Sequence, residues 1–411
     1  MPKKSDNNLF VGLDIGTSKV VAIVAEELPD GRLDIIGVGS HPSKGMKKSI
    51  VVNIDAMVNS LQRAVEEAEL MSGCQIHSVY TGIAGSHIRS MNSHGVVAIE
   101  SGVVEQKDID KVIDAAKAVA ISADQKILHV IPQEYIIDAQ SGIKDPLAMS
   151  GVRLEVRVHM VTGAVSVAQN IVNCIRRIGL DVDDLILEQI ASSHAVLSQD
   201  EKQLGVCMID IGGGTTDIAV FIGGAISHTF VFPVAGDQVS NDIAVALRTA
   251  SVSAEEIKIK HGTALSQMSD PEHLIMVPNV GSDEEREINQ QELAYVIESR
   301  FEELFVLIKN ELRTKGLDKF LTAGVVLTGG SSKMPGVVEL AAEIFKTNVR
   351  LGVPRNVLGM QDVIKNPIYS TGIGLLMWGQ KVQTELDATQ GKTHSMARIF
   401  TRMKSWFQGN F

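Results

Sequence analysis

Apolar positions change period several times along the chain, and each change marks an element. The run FVGLDIGTSKVVAIVAEE, from Phe10, holds two stretches rich in β-branched residues joined by a Gly-Thr-Ser turn; a third stretch, LDIIGVGS, follows the Pro-Asp-Gly turn at Pro29. Runs of this kind bounded by turn residues predict an antiparallel meander. From Asp55 the period lengthens. Met57, Val58, Leu61, Ala64, Val65 and Ala68 recur at helical spacing, with Asp55 as the candidate N-cap and Gly73 as the stop. This helix is expected to pack on the meander.

The segment from Ser86 to Gly163 has its own pattern: a short strand (GVVAI), a helix from Gln106 to Val119, and the strands ILHVIPQEYIID and VRLEVRVHMV. In the last of these Leu154, Val156, Val158 and Met160 alternate with Glu155, Arg157 and His159, as in a sheet with one solvated face. The segment reads as a small inserted αβ unit. After a helix around Ala168 to Arg177 the opening theme returns in LGVCMIDIGGGTTDIAVFIGGAISHTFVFPVAG, which predicts a duplicated fold with two halves facing each other. A charged helical stretch from Ser240 to Leu317, the strand GVVLTGG and a helix ending near Asn348 follow. Lys381 to Ser395 is polar, lacks helical period and reads as a linker.

Size and charge narrow the function classes. The 411 residues, 45% of them apolar, leave room for roughly two to four packed units with a substantial core. With 38 basic and 49 acidic side chains the net charge is −11, which argues against a general binder of nucleic-acid backbones. Cys74, Cys174 and Cys207 form no ligand-like cluster and read as buried thiols in a reducing compartment. The start, MPKKSDNNLF, lacks the apolar centre of a signal peptide, and no stretch approaches the ~18 uncharged apolar residues of a membrane span. A cytosolic protein is expected. His129, His159 and His194 have no ligand spacing and read as structural.

The end of the chain reverses the charge. In MARIFTRMKSWFQGNF, Met396, Ile399, Phe400, Met403, Trp406 and Phe407 form one helical stripe, while Arg398, Arg402 and Lys404 are unopposed by any acid. Such a helix suits an anionic membrane interface, with Trp406 near the headgroups. The competing reading is a terminal helix docked on the domain's own core. A segment this short lies on a bilayer rather than across it, and assembly of many copies would multiply its weak binding.

Two turns carry the chemistry. DIGTSK (Asp14 to Lys19) and DIGGGTTD (Asp210 to Asp217) share a design in which Gly16, Gly212, Gly213 and Gly214 let backbone N–H groups approach a phosphate. The hydroxyls of Thr17, Ser18, Thr215 and Thr216 add donors, and Asp14 and Asp210 can hold Mg²⁺ through water. Either turn alone would pass for an ordinary hairpin. Together with LTGGSSKMPG (Leu327 to Gly336), they predict a nucleotide clamped between the halves. The GKT at Gly391 is no P-loop, since Leu386 stands where the earlier glycine is required.

The order of these turns resembles the actin-like ATPase superfamily, whose fold is α/β, ribonuclease H-like and duplicated. The resemblance implies that Asp14 to Lys19 is the first phosphate loop, Asp210 to Asp217 the second, and Gly329, Gly330 and Ser331 the adenosine loop. It implies that EQIASSHAVL and YSTGIGLLMWG are the two hinge helices. Glu255 and Lys258, at i, i+3 on one helix face, match residues that contact ribose and adenine in relatives, though a surface ion pair would look the same. Glu188 stands where some relatives place a carboxylate that positions water. ATP binding is better supported than its hydrolysis.

Within the superfamily, VGLDIGTSKV, IIGVGS, HVIPQEYIID, MSGVRLEVRVHMVT, GVCMIDIGGGTTDIAV and VVLTGG resemble the FtsA family of bacterial cell-division proteins, over nearly the whole chain. The IPQEY run and its insertion are the most specific part. The resemblance implies subdomain 1A at residues 8–85, 164–202 and 359–380, an inserted subdomain 1C at 86–163, subdomain 2A at 203–239 and 321–358, and subdomain 2B at 240–320. A linker at 381–395 and a membrane-targeting helix at 396–411 complete the division. It implies ATP and Mg²⁺ as cofactors, and as partners the carboxy-terminal peptide of FtsZ, further copies of the chain in protofilaments, an anionic membrane surface and later division proteins, with no nucleic acid. The location implied is peripheral, on the cytoplasmic face of the inner membrane at the division site. Arg300 matches an arginine of the surface that takes the FtsZ tail, and Asn289 and Lys309 join it only as residues on neighbouring helical faces; a merely solvated charged helix is the competing reading. A PilM-like pilus-assembly protein could share the insertion but would not predict the terminal helix together with that surface. A heat-shock chaperone would need a large domain beyond Gly379, and a small-molecule kinase would need an acceptor pocket that is not readable here.

Overall fold

The computed structural model describes residues 8–281 and 285–391, with side chains up to residue 385. Strands β1 (Leu9–Ile15), β2 (Lys19–Glu27) and β3 (Leu33–Pro42) form the expected antiparallel meander. A short hairpin, β4 (Met46–Lys47) and β5 (Ile50–Val51), leads into α1 (Ile54–Ser72). The cap of α1 is Asn53 rather than Asp55. Its side chain accepts the Ala56 N–H at 3.1 Å, while Asp55 sits in the first turn, where a negative charge suits the helix dipole. Gly73, at φ +68, ends the helix in left-handed geometry. Strand β6 (Ser78–Ile83) returns parallel to β1.

The inserted unit comprises β7 (Arg89–Ala98), α2 (Gln106–Lys117), β8 (Gln125–Ile137), β9 (Gln140–Ile143) and β10 (Arg153–Ala164), with sheet order β7-β10-β8-β9. Leu154, Val156 and Val158 pack with Ile109, Val112 and Ile113 of α2 in a separate core. His159 departs from the expected solvated face. It is fully buried, because that part of the sheet leans on the second half of the molecule. Pro132 has no N–H for the ladder; the register slips beside it, and the unpaired Gln133 reaches the Ile226 carbonyl at 2.8 Å.

Next come α3 (Val165–Arg177), β11 (Asp181–Leu187), α4 (Glu188–Val196) and α5 (Gln199–Leu204). The second half opens with β12 (Val206–Ile211), β13 (Thr216–Ile222) and β14 (Ala225–Phe232), then α6 (Gly236–Ala246) and α7 (Ser251–His261). The stretch expected to be helical throughout contains a hairpin, β15 (Leu274–Pro278) and β16 (Glu285–Asn289), ahead of α8 (Gln290–Thr314). The chain continues through β17 (Gly324–Thr328), α9 (Val337–Phe345), β18 (Val349–Leu351), β19 (Val357–Gly359), α10 (Gln361–Ile364) and α11 (Ser370–Gly391).

The duplication is plain in the topology. One sheet runs β3-β2-β1-β6-β11 and the other β14-β13-β12-β17-β18, with the same succession of antiparallel and parallel neighbours; β19 extends the first beside β3. One core fills the space around the first sheet, α1, α3, α4 and α11, and a second lies between the other sheet and α6 to α9.

The expected linker is helical over its first part, since α11 continues to Gly391. Between Gln380 and Gly391 no glycine or proline interrupts it, and Lys, Gln, Glu, Leu and Ala favour helix even without an amphipathic period. Residues 392–411, including the whole amphipathic stripe, lie outside the described residues. Among the described residues no helix is long and apolar enough to cross a membrane.

Candidate nucleotide-binding site

The β1–β2 and β12–β13 turns face each other across a cavity of about 560 Å³ between the halves. They close with the same backbone bond, Gly16 N–H to Lys19 carbonyl and Gly212 N–H to Thr215 carbonyl, both at 3.0 Å. Glycine is what lets them meet. A Cβ on Gly213 would fall 2.0 Å from Ser18 Oγ, and one on Gly214 would fall 2.6 Å from Thr17 Oγ1.

A third loop closes the wall. Gly329 turns at φ +86, Gly330 lines the cavity, and Ser331 donates to the Gly212 carbonyl at 2.8 Å. The start of α6 joins the same loop through Gly236 N–H to Gly212 and Asp237 N–H to Gly213, at 3.2 and 2.7 Å. From α7, Lys258 points inward, only 8% exposed, with Nζ 3.0 Å from the Gly236 carbonyl, 2.8 Å from Ser240 Oγ and 2.6 Å from Glu255 Oε2. Glu255 and Lys258 therefore belong to the cavity wall, and the surface-pair reading does not describe this lysine.

Of the six carboxyl groups that line the cavity, Asp14, Glu188, Asp210 and Asp217 act on one another. Asp210 accepts the hydroxyls of Ser192 on α4 at 2.6 Å and Thr371 on α11 at 3.4 Å, so both helices converge on it. Asp217 accepts Thr215 Oγ1 and Gln189 Nε2, each at 2.9 Å. Removal from water, then the neighbouring Asp210, raises the Asp14 carboxyl to about 7, with Lys19 opposing. The same causes raise Asp217 to about 8. Glu188 is raised well above the carboxylate range by loss of water and by Asp14, Asp217 and Asp210, and Asp210 is raised by burial against its two hydroxyl bonds. Among the described residues no three acidic, histidine or cysteine side chains are placed to chelate an ion directly; an oxygen-only set that repels itself suits a hard divalent cation such as Mg²⁺ only where water completes its coordination. Lys19 stands over the Tyr369 ring at 4.6 Å, its affinity for a proton lowered by burial.

Asp14, Gly16, Thr17, Ser18, Lys19, Glu188, Asp210, Gly212, Gly213, Gly214, Thr215, Glu255, Lys258, Gly329, Gly330 and Ser331 all line this one cavity. Thr216 does not. As the first residue of β13 it alternates away from Thr215 and is fully buried, donating to the Val234 carbonyl at 2.7 Å. Asp217, Ser49 and Asp237 were not singled out from sequence. Only Asp217, at the end of the second turn, carried a signal that could have found it.

The surface residues are engaged within the chain. Arg300 pairs with Asp242 of α6 and with Glu303. Asn289 caps α8 by accepting the Glu292 N–H at 2.8 Å, and Lys309 donates to the Ile344 carbonyl at 2.5 Å. The three histidines are structural: His129 accepts the Leu187 N–H at 3.0 Å, His159 sits between Asn92 and Thr229, and His194 packs edge-on against Trp378. No disulfide links the cysteines, of which Cys174 and Cys207 are buried and Cys74 is partly exposed.

Solved structures share the architecture. A chain of the PilM–PilN type IV pilus biogenesis complex superposes with a TM-score of 0.67 at 15% identity, over 90% of this chain and 98% of that one. MreB5 of Spiroplasma citri bound to ADP gives 0.58 at 14% identity, over 93% and 99%. Fold and paired turns thus define the class as actin-like, with an insertion. The profile described as "SHS2 domain inserted in FTSA" matches residues 85–162, and that described as "Cell division protein FtsA" matches residues 207–374. The chain is 56% identical to cell division protein FtsA of Pseudomonas aeruginosa and 45% identical to that of Escherichia coli K12, in each case over all of both chains. The chain belongs to the FtsA family of cell division proteins.

Proposed function

We propose that the chain binds ATP with Mg²⁺ between its halves, assembles into filaments, and ties the FtsZ ring to the cytoplasmic face of the inner membrane at the division site. Its carboxy-terminal amphipathic helix holds the bilayer, and the filament recruits later division proteins. The observation that carries the reading is the clamp: two turns of the same construction meet across a cavity that collects phosphate-type donors and a cluster of raised carboxyls. The nucleotide's phosphates lie against Gly16 to Lys19 and Gly212 to Thr215, its sugar and base against Glu255, Lys258 and the Gly329 to Ser331 loop. Asp14 and Asp210 hold the cation through water. Turnover, where it occurs, calls on Glu188 to orient the attacking water, and a cation beside it would favour the charged form that task needs.

The fold of MreB5, held with ADP, supports a nucleotide in this cleft. The −11 net charge beside a terminal stripe carrying Arg398, Arg402 and Lys404 supports contact with an anionic surface. The docking surface for the FtsZ tail is 2B around Arg300.

Liposome co-sedimentation with ATP and Mg²⁺ tests the tether, using the full chain and a version ending at Ser395, each with and without an FtsZ carboxy-terminal peptide. The expected result is that only the full chain pellets and only it carries the peptide down. Equal behaviour of the two versions would sink the reading.

A further inference from the structure

The β4–β5 hairpin turns on Lys48 and Ser49, both at positive φ, 49° and 60°, with neither glycine nor asparagine to ease it. Residues with a Cβ are disfavoured there, so the tip is held by what it touches. Lys47 and Lys48 are exposed, but Ser49 is 7% exposed and lines the cavity. Its N–H donates to Thr17 Oγ1 at 3.2 Å, and its hydroxyl lies 3.2 Å from Thr215 Oγ1. These are hydroxyls of the two opposed turns, one from each half. A single serine therefore spans the cleft, and the Thr215 hydroxyl continues the chain of bonds to Asp217 at 2.9 Å.

We propose that Ser49 is a positioning residue for the terminal phosphate of a nucleoside triphosphate. A phosphate group arriving here offers three charged acceptor oxygens, and the Ser49 N–H and hydroxyl are donors already aimed between the two turns. Charge-assisted bonds to phosphate are stronger than the neutral hydroxyl contacts that hold the serine now, so it exchanges one for the other and draws the halves together. A diphosphate lacks that group and is expected to leave those contacts intact. The assignment rests on the nucleotide reading above and adds to it the means of telling triphosphate from diphosphate.

The test is a titration of the full chain, in Mg²⁺, with ADP and with a non-hydrolysable ATP analogue, for the unaltered protein, Ser49→Ala and Ser49→Gly. Glycine accepts φ 60° freely, so the second variant removes the hydroxyl while easing the turn. Both variants are expected to lose about tenfold or more in affinity for the ATP analogue, as befits one hydrogen bond to a charged group, and to bind ADP unchanged. Equal losses for the two nucleotides, or no loss for either, would overturn the role of Ser49 and leave the nucleotide reading standing. Failure of the unaltered chain to bind either nucleotide would overturn both.

Discussion

At the residue scale the governing fact is that Asp14, Asp210, Asp217 and Glu188 share one cavity, and each is pushed toward its neutral form. Asp14 and Asp217 titrate near 3.8 in ordinary surroundings and about 7 and 8 here. Between those limits the folded chain holds more protons than the unfolded chain, so this contribution to stability is complete below 3.8 and is lost as the pH rises through 7 to 8. Without divalent cation, the melting temperature is therefore expected to fall between pH 5 and pH 8. Asp217→Asn should flatten the slope, because one of the acids responsible is gone. Thermal unfolding in EDTA across that range checks it; a slope unchanged by the substitution would show that other groups set it. Mg²⁺ should bind more tightly at the upper end, where the carboxyls are free to lose their protons.

At the scale of elements, the halves are joined through α4 and α11, which cross closely enough that a Cβ on Gly374 would fall 1.9 Å from the Ala191 carbonyl oxygen. A backbone oxygen cannot step aside as a side chain can. Gly374→Ala is expected to destabilise the protein by about 1–3 kcal/mol through forced separation of the helices. Helix propensity alone predicts the opposite sign, a gain of about 1 kcal/mol. Urea unfolding decides between them, and an unchanged or raised midpoint would mean that the crossing has slack.

The same scale shows what could be read in advance. The meander, its duplicate and the two facing glycine-rich turns were legible because β-branched runs and Gly/Thr turns are local signals, and their repetition supplied the long-range one. The β15–β16 hairpin was hidden because its strands are short and set among charged residues with helical neighbours. The extension of α11 was missed because propensity, rather than amphipathic period, sustains it. Ser49 left no trace: Lys-Ser is an unusual sequence for a two-residue hairpin turn, and only tertiary contacts make it one. Thr216 was misassigned because adjacent hydroxyls look alike in sequence while a strand sends them to opposite faces.

At the scale of the whole molecule, the contact that α4 and α11 make with Asp210 is supplemented by a second connection. The inserted unit braces the edge strand β14 through Ser90 to the Thr229 carbonyl at 2.7 Å, Asn92 to the Ser227 carbonyl at 3.2 Å and Gln133 to the Ile226 carbonyl at 2.8 Å. Strand β14 pairs with β13, which begins at the β12–β13 turn. The insertion, the sheet edge and the cleft thus form one connected body.

We propose that this cleft clamps a nucleotide together with its cation. Calorimetric titration of the full chain with an ATP analogue, with and without Mg²⁺, tests it most directly, alongside Gly213→Val, which would force a branched side chain into the Ser18 hydroxyl. The expected result is one nucleotide per chain, markedly tighter binding with Mg²⁺, and loss of that binding in the variant. Absence of saturable binding, or binding indifferent to both Mg²⁺ and the valine, would contradict it.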